Sequence, residues 1–117
     1  MNKLEKIRHS LSHLMAQAVM EIFPEAKFGI GPVIENGFYY DFELPRPLTP
    51  QDLPKIEKKM KKLISQNIKF EKINVNLNRA KELSKDQPYK LELINELKKE
   101  KKSITYYKSG KFTDLCE

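Results

Sequence analysis

Apolar residues recur at helical spacing near the N-terminus. Leu4, Ile7, Leu11, Leu14, Ala18 and Ile22 fall on one stripe, which predicts an α-helix over residues 3–23, stopped by Pro24. With 3.6 residues per turn the stripe centres near Leu11, and His9 and His13 fall on roughly the opposite side. That second side is flanked by Ala16, Met20 and Phe23, so it is not an ordinary solvated face. A helix apolar on one side, with histidines among small and apolar groups on the other, reads as a central helix whose second face lines a groove.

The period then changes from 3.6 to 2. Val33-Ile34 and Phe38-Tyr39-Tyr40 flank Asn36-Gly37, a strong hairpin signal because both turn positions can take positive φ. Along the second arm Phe38, Tyr40, Phe42 and Leu44 face one way, and Tyr39, Asp41 and Glu43 the other. Thr49-Pro50-Gln51-Asp52 predicts the next helix start, with Asp52 reaching back as a capping-box acid. Leu53, Ile56, Met60, Leu63 and Ile64 form its expected buried stripe, and Lys58, Lys59, Lys61 and Lys62 its other side. A strand is predicted over 68–75, where Ile68 and Phe70 are out of step with Ile73 and Val75, suggesting a bulge near Glu71-Lys72. Short helices around 78–85 and 91–99 are separated by Gln87-Pro88, and residues 103–108 and 111–116 form a last hairpin across Ser109-Gly110. The expected fold class is α+β: a long central helix packed against antiparallel strands, with short outer helices.

Composition narrows the picture. With 117 residues, 39% hydrophobic and 32% charged, the chain suits one globular domain with a modest core. No apolar run is long enough to span a membrane, and Met1 to Arg8 lacks a signal-peptide core. One cysteine, Cys116, excludes an internal disulfide and fits the reducing cytoplasm. The net charge of +6 favours a polyanionic partner, although a lysine-rich helix face is also what a merely solvated surface looks like.

Candidate chemistry is sparse. His9 and His13, the only histidines, stand four apart on a helix, so their imidazoles point the same way and can share one ligand or water. Ser10 stands where the metalloprotease motif needs glutamate. Cys116 is by type either a small buried hydrophobe or a ligand or nucleophile. Gly29-Ile30-Gly31-Pro32 is either a bend or a place where a ligand approaches the backbone.

Taken together, Arg8-His9-Ser10-Leu11-Ser12-His13-Leu14 and Gly29-Ile30-Gly31-Pro32-Val33-Ile34-Glu35-Asn36-Gly37-Phe38-Tyr39-Tyr40-Asp41 resemble the start of the threonyl-tRNA synthetase editing domain. Leu48-Thr49-Pro50-Gln51-Asp52-Leu53, Pro88-Tyr89-Lys90 and Phe112-Thr113-Asp114-Leu115-Cys116 continue the resemblance, in order, over nearly the whole chain. Alanyl-tRNA editing proteins share the two-histidine motif but carry a different hairpin. The resemblance implies that His9, His13, Lys90 and Cys116 are catalytic, and that Gly31, Tyr40, Asp41 and Asp114 bind substrate. It implies hydrolysis of serine from mischarged tRNA(Thr), within a parent that ligates threonine to tRNA(Thr) using ATP. The expected partners are the acceptor end of tRNA(Thr) carrying serine and the rest of the synthetase, in the cytoplasm. No metal is expected; if zinc binds, His9, His13 and Cys116 would hold it. The alternatives are a catalytically silent tRNA-binding fragment and a zinc-binding free-standing deacylase. The family's Gly-Pro-His segment after the cysteine is missing, as are its small N-terminal domain and its aminoacylation and anticodon domains. The expectation is therefore a single editing domain over 1–117, truncated at its C-terminus.

Overall fold

The computed structural model describes residues 2–66, 70–101, 103–109 and 112–116, the side chain of Cys116 excepted. Ile68 and Gly110, which entered the strand and turn expectations, lie outside these residues. The element order is α1 (Lys3–Ile22), β1 (Lys27–Phe28), β2 (Val33–Ile34), β3 (Gly37–Phe38), β4 (Phe42–Glu43), α2 (Asp52–Ser65), β5 (Glu71–Val75), α3 (Leu77–Leu83), α4 (Pro88–Lys99), β6 (Ile104–Ser109) and β7 (Phe112–Cys116). The class is α+β, with four helices and small antiparallel sheets among the described residues. No described helix is long and apolar enough to cross a membrane.

Helix α1 starts where Asn2 accepts the Glu5 amide at 2.8 Å, an N-cap that satisfies one of the orphan donors of the first turn. Its C-terminal half is buried on both sides, with Leu14 and Ala18 on one flank and Ser12, His13, Ala16 and Val19 on the other. The expected stripe fails at its N-terminal end: Leu4 is 52% and Ile7 47% exposed. Helix α2 packs on α1 through Ile56 and Leu63, whereas Leu53 and Ile64, expected in the same buried stripe, are exposed. Periodicity shows that a helix has an apolar side; it does not show how far along that side a neighbour extends.

At the N-terminus of α2 Asp52 reaches back as expected, but the helix begins at Asp52 itself, with Gln51 at the N-cap position and no side-chain cap, so Thr49 does not cap it and Pro50 precedes it. Buried Asp52 accepts from the Thr49 amide (2.8 Å) and hydroxyl (3.0 Å). It is also gripped in bidentate fashion by Arg46 at 2.7 and 2.8 Å, a partner that spacing did not reveal.

Residues 27–43 form one irregular hairpin. Phe28 pairs with Phe42, and Val33 with Phe38. Between them the Gly29 amide donates to the Asp41 carbonyl and the Asp41 amide to the Ile30 carbonyl. Ile34 pairs with Gly37, so the two-residue turn is Glu35-Asn36 and not Asn36-Gly37. The expected alternation of the second arm holds: Tyr40, Phe42 and Leu44 pack on the core, while Tyr39, Asp41 and Glu43 face solvent.

The remaining sheet has the order β5-β6-β7. Its register is unbroken from Glu71↔Lys108 to Val75↔Ile104, so the bulge expected near Glu71-Lys72 is absent; β5 begins only at Glu71, with Phe70 outside the ladder. One face of this sheet carries Ile73, Tyr106 and Leu115 onto Ala80, Ile94 and Leu97 of α3 and α4, a second core. Tyr106 buries its hydroxyl there with partners, Ser84 at 2.6 Å and the Ala80 carbonyl at 3.0 Å. Because side chains alternate along a strand, the other face presents Lys72, Tyr107 and Asp114 toward α1.

Candidate active site

His9 and His13 project from the second face of α1 into this space, one turn apart. Their Nε2 atoms are 3.1 Å apart, and His13 Nδ1 meets Asp114 Oδ2 at 2.6 Å across 101 residues of chain. Asp114 also accepts from the Tyr40 hydroxyl (2.7 and 2.9 Å) and faces Lys90 Nζ at 3.2 Å. Lys90 donates in turn to the Tyr40 hydroxyl at 2.8 Å. Four elements converge here: α1, the hairpin arm, the first turn of α4 and β7. His13, Asp114 and Lys90 are each only 4% exposed, so this is a buried network with its charges paired.

Secondary structure explains why these groups can meet. Pro88 opens α4, its missing N–H falling where no intrahelical partner exists, and this places Lys90 in the first turn. The Gln87 side chain staples that turn to β1, accepting from the Phe28 amide (2.8 Å) and donating to the Ala26 carbonyl (3.1 Å). The Arg8 guanidinium donates to the Glu35 carbonyl at 2.8 Å and ties the hairpin turn to α1. Tyr107 of β6 sets its ring at 4.7 Å from that of His9 and 4.8 Å from that of His13, fixing both imidazoles edge-wise.

The electrostatics set the protonation states. Burial lowers the His9 pKa, and the neighbouring His13 and Lys72 lower it further against the pull of Asp114, from 6.5 to about 4. His9 is therefore neutral at neutral pH. Burial alone would raise Asp114, but the hydrogen bond from His13, the charge of Lys90 and the bond from Tyr40 outweigh it and hold the carboxyl below its usual range. An ionised Asp114 requires His13 to carry its proton on Nδ1, so the Nε2–Nε2 contact shares one hydrogen between the two imidazoles. A proton reaching His9 has a path along this contact to His13, which faces Asp114.

The histidines open into a cavity of about 480 Å³, walled by Gly31, Tyr40, Lys90 and Tyr107, with exposed Lys72 on its rim. A Cβ on Gly31 would overlap the Tyr40 ring, so this glycine lets the ring lie against the opposing backbone and aim its hydroxyl at Asp114. Gly31→Ala is expected to displace Tyr40 and lower stability by about 1–3 kcal/mol, read from denaturant unfolding. Gly29→Ala, whose Cβ would come no nearer than 3.1 Å to Asp41 Cβ and 3.4 Å to the Asp41 carbonyl oxygen, is expected to cost less. Equal losses would count against the Tyr40 packing argument.

Of the residues singled out in the sequence, His9, His13, Gly31, Tyr40, Lys90 and Asp114 are brought together. Asp41 is not: it lies on the exposed side of the arm and lines a separate depression with Tyr89 and Glu92. Cys116 pairs with Thr105 at the end of β7, and its side chain lies outside the described residues. Among the described residues, no three His, Cys, Asp or Glu side chains form a metal-holding group. Tyr107 and Lys72 were missed because only the β5–β6–β7 register puts them beside the histidines, and Phe70, just before β5, sets its ring 6.3 Å from that of His13.

No protein-family model matches the chain. It is 52% identical over 113 residues to the threonine–tRNA ligase of Dehalococcoides mccartyi, a match covering 97% of this chain and 19% of that protein. Against the threonine–tRNA ligase of Staphylococcus carnosus it is 50% identical over 113 residues (97% of this chain, 17% of that protein). Against that of Thermotoga maritima it is 50% identical over 115 residues (96% and 18%). The chain thus spans about a fifth of the length of these relatives. With about half of its residues shared along almost its whole length, the chain belongs to the threonyl-tRNA synthetase family.

Proposed function

We propose that this stretch is the editing domain of a threonyl-tRNA synthetase, hydrolysing the ester that joins serine to tRNA(Thr). The observation that carries the reading is the Asp114–His13–His9 line, buried at one end and opening at the other into a cavity. Ester hydrolysis needs a placed water, a proton acceptor and support for developing charge. In this reading neutral His9 holds the water or the neighbouring ribose hydroxyl and receives the proton. His13 shares it, and Asp114 keeps His13 in the right tautomer. Lys90 and Tyr40 fix Asp114, and Lys72 on the rim meets a phosphate of the tRNA end. Cys116 and Asp41 belong to the proposal through the family resemblance alone.

The need for such a domain is physical. Threonine exceeds serine by one methyl group, which a synthetic site can use for only about 1–3 kcal/mol of discrimination, so a second, hydrolytic sieve raises fidelity. The parent protein would ligate threonine to tRNA(Thr) using ATP, with the rest of the synthetase and the charged acceptor end as partners.

The reading requires no metal. The Nε2 atoms that a zinc ion would use are turned on one another and share one hydrogen, and His13 Nδ1 is committed to Asp114. Were zinc held, His9, His13 and Cys116 would be its ligands and it would act as a Lewis acid.

The test is deacylation of Ser-tRNA(Thr) and Thr-tRNA(Thr) by the purified protein after dialysis against a chelator. Serine is expected to be released faster than threonine, and a His13→Ala variant to be inactive. Salt-sensitive binding of tRNA without turnover would replace the hydrolase by a tRNA-binding module. Activity lost on dialysis and restored by zinc would replace the metal-free mechanism.

A further inference from the structure

A second cavity, about 570 Å³, lies against the other side of Lys90 and Asp114. Its lining includes Phe112, Thr113, Asp114 and Leu115, four consecutive residues of β7. Successive strand residues point to opposite faces, so a cavity that touches four in a row runs along the strand's edge and not over a face. That edge is open among the described residues, since in the order β5-β6-β7 the last strand pairs only with β6. The facing walls come from α1, through Gln17 and Met20, and from the α3–α4 connection, through Ser84 and Gln87. Gln17 is 8% exposed, and its buried carbonyl oxygen has no hydrogen-bond partner among the described residues. A buried amide acceptor left unmatched costs about 1–3 kcal/mol, and such groups in folded proteins nearly always find a donor.

We infer that this slot seats one further extended strand, pairing with β7 and supplied by the same synthetase polypeptide from outside residues 1–117. An open row of strand N–H and C=O groups is the template for strand addition. The peptide backbone is also the chemistry that answers Gln17, whose amide can turn its oxygen to an N–H entering the slot. The occupant is assigned to the same polypeptide because relatives of this chain carry most of their length outside the matched stretch, and a tethered segment binds at high effective concentration. A strand seated there closes the rear of the Asp114–Lys90 pair and keeps water from it.

The test uses the whole synthetase and residue-resolved amide hydrogen exchange across Thr113 to Leu115. A strand paired on one side only protects alternate amides; a strand paired on both sides protects consecutive ones. Consecutive protection is expected, with the amides facing away from β6 exchanging at least about a hundredfold more slowly than open ones, at every protein concentration. An alternating pattern would overturn the inference. Protection that grows with protein concentration would also overturn it, assigning the slot to a second copy. Neither readout depends on catalysis, so the result stands apart from the editing assay.

Discussion

Replacing Asp114 by asparagine is expected to lower the single-turnover rate of Ser-tRNA(Thr) hydrolysis by about 10³–10⁴-fold, while tRNA binding holds within a few fold. Asparagine has the same shape, and an oxygen can still accept from Tyr40. What changes is the side facing His13. In the proposed mechanism the carboxylate fixes the proton on Nδ1, at 2.6 Å, and offsets the positive charge when His9 passes a proton to His13. A neutral amide does neither, and where its NH₂ group faces Nδ1 the imidazole must reverse its tautomer and lose the lone pair aimed at His9. Rapid-quench deacylation with enzyme in excess separates this step from tRNA release. A loss smaller than tenfold would remove the Asp114–His13 line from the mechanism and leave His9 acting alone.

The expected rate loss rests on a residue whose importance was legible only as part of a short string. Phe112-Thr113-Asp114-Leu115-Cys116 drew attention by resemblance, and nothing in its local pattern links Asp114 to a histidine 101 residues earlier. That link is a product of register. Once β6 and β7 pair with Tyr107 opposite Asp114, and β5 places Lys72 opposite Tyr107, the three share a face, and only the packing of that face on α1 brings in His13. The two histidines were legible because a helix fixes the relation of i and i+4. Tyr107 and Lys72 were not, because strand pairing is long-range and one residue of slip would turn them to the opposite face. The same period-2 rule tells against one motif-based assignment. Tyr40 and Asp41 are neighbours on an extended arm, so they face opposite ways, and only Tyr40 meets the cluster. The outer ends of the helical stripes, Leu4, Ile7, Leu53 and Ile64, show the complementary limit: an apolar face is a property of one helix, but burial requires a neighbour of matching length.

The largest effect on stability is expected at Lys90. Lys90 is 4% exposed and its ammonium answers the carboxylate of Asp114, also a 4% exposed residue, with the Tyr40 hydroxyl bonded to both. Lys90→Met keeps most of the volume and removes the charge, leaving Asp114 to the His13 and Tyr40 bonds. Breaking one side of a buried pair strands the other charge, a loss of about 3–5 kcal/mol, whereas removing both charges together is far less costly. Asp114→Leu strands Lys90 by the same reasoning. The double variant Lys90→Met/Asp114→Leu is therefore expected to be more stable than the sum of the single losses predicts, by about 2 kcal/mol or more. Equilibrium urea unfolding of the four proteins measures that coupling. Losses that add to within about 0.5 kcal/mol would mean that the two residues do not interact, and that Lys90 serves Tyr40 alone. A strong coupling would place the buried ion pair beneath the histidines as a structural member of the site. Its cost in folding free energy is then tied to holding Asp114 ionised and Tyr40 in place.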